Sequence, residues 1–280
     1  MIKIRVIGTF IGVWLTFSCA VAAEQQTEQV KLPLWELGLG FGGFSIPQYM
    51  GSDERYTFPF AFPFLIYRGK NWWLDRSGLR NRLYSHNNIS LDLSLSGGLP
   101  SKNNNKARQG MAKLHLTGEF GPRLNWIIYQ DGMHDLRMML PWRAALNIKG
   151  RFVGSLLEPG VQYIYQKNMN QSYVRLKLAA GLLYTSQRFN DVYYSVSAID
   201  ARPSRPVYQA RAGLHSAFAK LSLRYPINHD WQLFASTRFR RLDGGIVRDS
   251  PLVRQKSYTS MAAGAIWMFS RSKENAIGEE

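Results

Sequence analysis

The chain has 280 residues, 35 Lys and Arg against 19 Asp and Glu, a formal net charge of +16 and a single cysteine. So basic a balance could serve nucleic acid, but the cations are spread singly and an export signal leads the chain, which excludes that partner. The mean hydropathy of −0.24 suits a soluble protein. It equally suits a β-barrel, where half of every strand faces a wet lumen.

Met1-Ile-Lys3-Ile-Arg5 precedes an apolar run from Val6 to Phe17 and then Ser18-Cys19-Ala20-Val21-Ala22-Ala23. A positive start, a short apolar stretch and a small-residue cleavage site make residues 1–23 a secretory signal peptide, cut after Ala22 or Ala23. Phe17 stands where lipidation of Cys19 would want a small residue, so a lipoprotein is disfavoured. Cleavage removes Lys3, Arg5 and the only cysteine, which leaves a charge of +14 and no disulfide or thiolate metal site. An exported chain without disulfides needs another brace, and a closed hydrogen-bonded barrel supplies one. The mature chain has no window of about 20 apolar residues, so no transmembrane helix is available.

Residues 24–33 form a polar periplasmic lead-in, and the barrel is expected over 34–269. Trp35, Leu37, Leu39 and Phe41 alternate with Glu36, Gly38, Gly40 and Gly42, a first strand with small residues on a crowded inner face. Tyr56 to Tyr67 puts Phe58, Phe60, Phe62, Phe64 and Ile66 on one face. Pro59 and Pro63 lack a ladder donor, so this segment is an edge strand, a bulged strand or no strand. Trp72 to Tyr84 reads as two short strands around Asp75-Arg-Ser-Gly78 or as one irregular strand; an even strand count favours two. Ile89, Leu91, Leu93 and Leu95 alternate with Ser90, Asp92, Ser94 and Ser96. A polar loop containing Lys102–Arg108 follows, then a long strand from Met111 to Tyr129, bent at Gly121-Pro122.

Asp131-Gly132 signals a tight turn. Beyond it, Leu136, Met138, Leu140, Trp142, Ala144 and Leu146 stand opposite Arg137, Arg143 and Asn147. Further strands are expected at Arg151–Tyr165, Val174–Tyr184 and Val207–Tyr225. The last hairpin has the clearest pattern. Trp231, Leu233, Ala235, Thr237 and Phe239 share one face, with Gln232, Ser236, Arg238 and Arg240 on the other and Phe234 the exception. Met261, Ala263, Ala265, Trp267 and Phe269 repeat the pattern on its return arm. Each arm can cross a bilayer as a tilted strand, which takes roughly 9–11 residues. Short turns alternate with long loops. The expectation is an all-β fold: a transmembrane antiparallel β-barrel of about 12 strands, with 10 as the alternative, in the outer membrane of a Gram-negative bacterium, both termini periplasmic. Residues 270–280 would be a polar C-terminal tail.

Several stretches, in order along nearly the whole mature chain, resemble the MltA-interacting protein (MipA/OmpV) family of outer-membrane proteins. They are Tyr49-Met-Gly-Ser-Asp53, Phe62-Pro-Phe-Leu-Ile-Tyr-Arg-Gly69, Phe120-Gly-Pro122, Asp191-Val-Tyr-Tyr-Ser-Val-Ser197, Val207-Tyr-Gln-Ala-Arg-Ala-Gly213, and Arg241-Leu-Asp-Gly-Gly through Asp249-Ser-Pro251. The family-motif loop residues are Tyr49, Gly51, Ser52, Asp53, Asp249, Ser250 and Pro251. Ser195 stands where the family usually has Gly, Gly244-Gly245 departs from its Gly-Asp-Ala, and a polar tail follows the terminal aromatic Phe269. The resemblance implies a scaffold that brings a lytic murein transglycosylase together with a peptidoglycan synthase, with no catalytic residues.

The residues themselves offer no strong chemistry. His134-Asp135 and His229-Asp230 sit at expected turns, where Asp is an ordinary turn former. His115 and His215 fall in expected strands, and no His-Glu-x-x-His motif or calcium loop occurs. No enzyme, metal or cofactor is expected. Arg137, Arg143, Arg175, Lys177, Arg211, Arg224, Arg238 and Arg240 are expected to face inward, with fewer acids among them, namely Glu36, Asp92, Glu119 and Glu158. Such a lumen could bind or pass anions as a small pore; alternatively Arg–carboxylate and Arg–Tyr contacts fill it, the stronger expectation. Lys102–Arg108 could meet lipopolysaccharide phosphates or lie solvated. The turns near Gln130–Asp135, Gln166–Ser172 and Pro226–Asp230, with the N-terminal lead-in and the C-terminal tail, are the surfaces expected to be open to periplasmic murein enzymes.

Overall fold

The computed structural model describes residues 33–69, 72–75, 78–102, 105–169 and 172–274. The signal peptide, nearly all of the lead-in and residues 275–280 lie outside the described residues. The strands are β1 (Trp35–Pro47), β2 (Arg55–Arg68), β3 (Trp72–Asp75), β4 (Gly78–His86), β5 (Ile89–Gly98), β6 (Thr117–Gln130), β7 (His134–Asn147), β8 (Phe152–Leu157), β9 (Gly160–Met169), β10 (Ser172–Thr185), β11 (Gly213–Pro226), β12 (Trp231–Arg241) and β13 (Ser257–Arg271). One helix, α1 (Gln187–Tyr194), lies between β10 and β11.

The pairing is antiparallel throughout and closes on itself. β13 pairs with β1 from Glu36↔Arg271 to Ser45↔Met261, and β10 pairs with β11 from Arg175↔Arg224 to Thr185↔Gly213. β7 pairs with β8 through Trp142–Leu146 and with β9 through His134–Met139. β8 and β9 therefore lie end to end as one stave, broken at Glu158-Pro159. Counted that way, the thirteen segments among the described residues make twelve staves. The two short strands around Asp75-Arg-Ser-Gly78 are present as β3 and β4.

The alternation decides which face meets which medium. Leu233, Phe239, Met261, Trp267 and Phe269 are exposed on the outer face, where the hydrocarbon of a bilayer would cover them. Trp126, Tyr129, Tyr225, Trp267 and Phe269 are exposed near the turn-side end, as an interfacial aromatic belt. β2 is the inverse: Phe64 and Ile66 point inward and are buried. They cluster with Ile266, Met268, Phe62 and Phe234, which accounts for Phe234 breaking the polar pattern of its strand. Gly40 is the complement of this aromatic wall, because a Cβ there would sit inside the Phe62 ring.

Two strands are shorter than their patterns suggest. β6 begins at Thr117, not Met111, because Leu114 turns inward and exchanges hydrogen bonds with Ser101: its N–H donates to Oγ at 3.1 Å and its carbonyl accepts from the Ser101 N–H at 3.2 Å. His115 is accordingly an exposed loop residue. β11 begins at Gly213, not Val207; Gly213 has φ +145°, a conformation that side chains disfavour and that breaks the ladder. At the other end β13 runs two residues past Phe269.

Candidate functional site

The long connections are not solvated loops. Residues 48–54, 99–102, 105–116, 186–212 and 242–256 fold across one mouth of the barrel around a common core of Tyr49, Leu114, Phe189, Tyr193, Tyr194, Leu242, Val247 and Val253. Inward-facing residues at the strand ends, Ala145, Leu183 and Tyr258, join it. Polar anchors stitch the pieces together. The Tyr49 hydroxyl donates to the Leu252 carbonyl at 2.8 Å and the Tyr194 hydroxyl to Met50 O at 3.0 Å. Ser250 Oγ donates to Tyr194 O at 2.7 Å, and the Arg108 guanidinium reaches Tyr193 O at 2.9 Å. Burial holds the Tyr49 phenol up at about 12 and pushes Tyr194 higher than its ordinary range.

The family-motif residues are parts of this cap. Tyr49, Ser52 and Ser250 are buried, and Gly51 takes φ +93° against Val253. Asp53 and Asp249 are exposed beside Arg254 (4.0 Å) and Arg248 (3.2 Å), and Pro251 is half-buried. Of Lys102–Arg108, the described residues 102 and 105–108 belong to the cap too: Asn105 and Arg108 are buried in it. Sequence reasoning missed the cap, although Phe189, Tyr193 and Tyr194, a helical i, i+4, i+5 set in a supposed loop, carried the signal.

Beneath the cap, three arginines converge on one carboxylate. Glu158, at the β8–β9 break, lies 3.4 Å from Arg240, 3.7 Å from Arg143 and 3.7 Å from Arg238. Arg143 also pairs with Glu119 at 3.1 Å, and Arg240 donates to Ser216 Oγ at 2.7 Å. The guanidinium groups of Arg238 and Arg240 lie over the Phe218 ring at 4.8 and 5.6 Å. Arg143 and Arg240 are almost fully buried, whereas Arg238 keeps a third of its side-chain surface. Such a cluster is tolerated because each buried charge has an opposite partner and further hydrogen bonds.

Farther down the lumen opens a cavity of about 750 Å³. Arg123, Arg143, Arg175, Lys177, Lys220, Arg224 and Arg238 line it, against one carboxylate, Glu158. Asp92, paired with Arg123 at 2.9 Å, and Glu119 stand behind the surface, and cations still exceed acids. Arg224 donates to the Tyr173 hydroxyl at 3.2 Å. Phe62, Phe64 and Phe234 give the cavity an apolar side, with Phe234 paired directly across the β11–β12 ladder from Arg224.

Arg143, Arg175, Lys177, Arg224 and Arg238 are thus brought together around one cavity, with Arg240 directly above them. Arg137 is held apart by an ion pair with Asp135. Arg211 is not in the lumen: it is exposed in the connection ahead of β11, since the strand starts two residues later. Lys220, a cavity residue that the inward set omitted, follows from the same alternation that places Ser222 and Arg224. The histidines do not converge. His134 bonds the Tyr163 hydroxyl at 2.6 Å, His215 bonds Tyr194 and Ser216, and His229 sits beside Asp230 at the exposed turn.

A closed antiparallel barrel with an apolar outer face and a charged lumen defines an outer-membrane protein. The family model described as MltA-interacting protein MipA matches residues 39–269, and the chain belongs to that family. Outer membrane protein YiaT of Escherichia coli is 24% identical over 239 residues, covering 84% of this chain and 91% of that protein. Outer membrane protein OmpV of Vibrio cholerae is 25% identical over 213 residues, covering 72% and 76%. Among solved structures, the NanC porin aligns over 83% of this chain and all of its own, with a TM-score of 0.42 at 10% identity.

Proposed function

We propose that this outer-membrane barrel binds anions in its lumen and does so without catalysis. The observation that carries the reading is the cavity in which seven cations face one carboxylate. A cavity of this size falls in the range of roughly 300–1,000 Å³ typical of small-ligand sites, and guanidinium forks match carboxylate and phosphate oxygens. Titrating the refolded mature barrel with inorganic phosphate in a calorimeter tests it. Saturable heat that shrinks in Lys220→Gln and Arg224→Gln supports the reading; a wild-type barrel that takes up no anion ends it.

A second reading, a scaffold for peptidoglycan-remodelling enzymes, is supported by the description of the family as MltA-interacting. It would use the turn-side rim, where Asp131, His229 and Asp230 are exposed, and it requires that rim to be periplasmic. Exposed Lys102 and Lys106 on the opposite side would then meet lipopolysaccharide phosphates. Affinity capture from detergent extracts should enrich a murein transglycosylase or synthase; recovery of neither sinks the scaffold and leaves anion binding untouched.

A further inference from the structure

We infer that a cleft at the rim of the barrel, where the cap meets the tops of β6, β7 and β8, binds the phosphate monoester of a membrane lipid. This site shares no residue with the lumen cavity and does not depend on it.

The cleft holds about 260 Å³. Lys113, His115, Arg151 and Arg188 line it, and among the described residues no carboxylate does. All four are exposed. Its floor is polar, with the Thr117 hydroxyl 3.3 Å from that of Tyr193 and Asn147 beside them. The permanent cations come from three separate segments, and each segment is fixed. Arg151 closes a turn in which Asn147 Oδ1 accepts from the Lys149 and Arg151 N–H groups, both at 3.0 Å, and Gly150 takes φ +72°. Arg188 stands in the first turn of α1, where Ser186 Oγ accepts from the Ser155 N–H at 2.9 Å and the Phe189 N–H at 3.4 Å. A Cβ on Gly154 would strike the Phe189 nitrogen, so the helix lies directly on β8. Lys113 precedes Leu114, whose N–H is bound by Ser101. Among the described residues no carboxylate pairs with Lys113, Arg151 or Arg188, and the Arg188 guanidinium lies over the Phe152 ring at 5.5 Å. These cations are held near one another without a counter-charge.

The ligand follows from what borders the cleft. Phe152 lines it, is exposed, and pairs with Leu146, which pairs in turn with Gly118. Gly118 lies on the same outward face as Phe120, and a Cβ there would meet nothing within 4 Å. A notch therefore lies in the outer face between exposed Leu116 and Phe120, next to the cleft. A lipid can place its phosphate among the cations and an acyl chain in this notch, which a free anion cannot use. A phosphate monoester carries close to two negative charges at neutral pH and three acceptor oxygens, a match for three cations that a diester lacks.

Native mass spectrometry of the refolded mature barrel, released from detergent containing diphosphoryl lipid A, tests this. Wild type should retain lipid A in preference to phosphatidylglycerol. Affinity should fall roughly twentyfold in Arg151→Gln/Arg188→Gln, about fivefold for each cation beside an anionic membrane surface. It should fall also in Gly118→Leu, which fills the notch without touching a charge. Heat-modifiable gel migration checks the fold of each variant, and Gly118→Leu decides the matter alone if the double variant does not refold. Undiminished binding in the folded variants overturns the inference, as does equal retention of phosphatidylglycerol. Displacement of lipid A by excess inorganic phosphate, with Gly118→Leu matching wild type, also overturns it, because the cleft would then be a site for free phosphate.

Discussion

The two ends of the lumen use the same side chain in opposite ways. Under the cap, Arg143 and Arg240 are buried against Glu119, Glu158 and the Phe218 ring. A few residues lower, Lys177, Lys220 and Arg224 border open volume in which cations outnumber acids. A charge withdrawn from water must be paired, whereas a charge beside a space that holds water keeps part of its hydration. The number of inward arginines therefore does not tell a filled barrel from a binding one. The positions of the carboxylates do: Glu119 and Glu158 lie toward the cap, and Glu36 is held by Arg271 (3.6 Å) at the turn-side end.

Replacing Glu158 by Gln should break this contrast most severely. Three arginines lose their shared partner, and removing one member of a buried ion cluster costs about 3–5 kcal/mol, read as a lower urea midpoint. Gly40→Ala should come next, at about 1–3 kcal/mol for overpacking, because its methyl enters the Phe62 ring. Phe62→Leu in the same chain should recover most of that loss in a double-mutant cycle. Arg224→Gln should sharpen the comparison from the other side, shifting the midpoint by less than about 1 kcal/mol while weakening phosphate binding.

The smallest effect concerns the cap. The Tyr49 phenol is held near 12 by burial, above the usual value of about 10, so the folded state binds its proton more tightly than the unfolded state. Its stabilisation is complete below pH 10 and is lost as the pH rises toward 12, because the unfolded chain ionises first. Protease sensitivity of the cap loops should climb across that window and climb less steeply in Tyr49→Phe.

The barrel was legible because period-2 alternation records which medium each face meets, and β7, β12 and β13 carry it on their outer faces. Pro59 and Pro63 left the segment open between an edge strand, a bulged strand and none; it is a strand, paired with β1 along its length. The limits of β6 and β11 were not legible: Leu114 and Tyr208 continue an apolar rhythm that belongs to the cap, and only tertiary packing separates the two. The placing of Arg211 failed with them. The alternation set Arg143, Arg175, Lys177, Arg224 and Arg238 on inward faces, but the open volume they border depends on which side chains pair across the lumen, which spacing does not record.

Crystals of the mature barrel soaked in bromide, with anomalous scattering to locate the ion, test the contrast most directly. Bromide is expected beside Lys177, Lys220 and Arg224 in the cavity, and none beside Arg240 under the cap. Peaks confined to Arg240, or a cavity that takes up no halide, would contradict it.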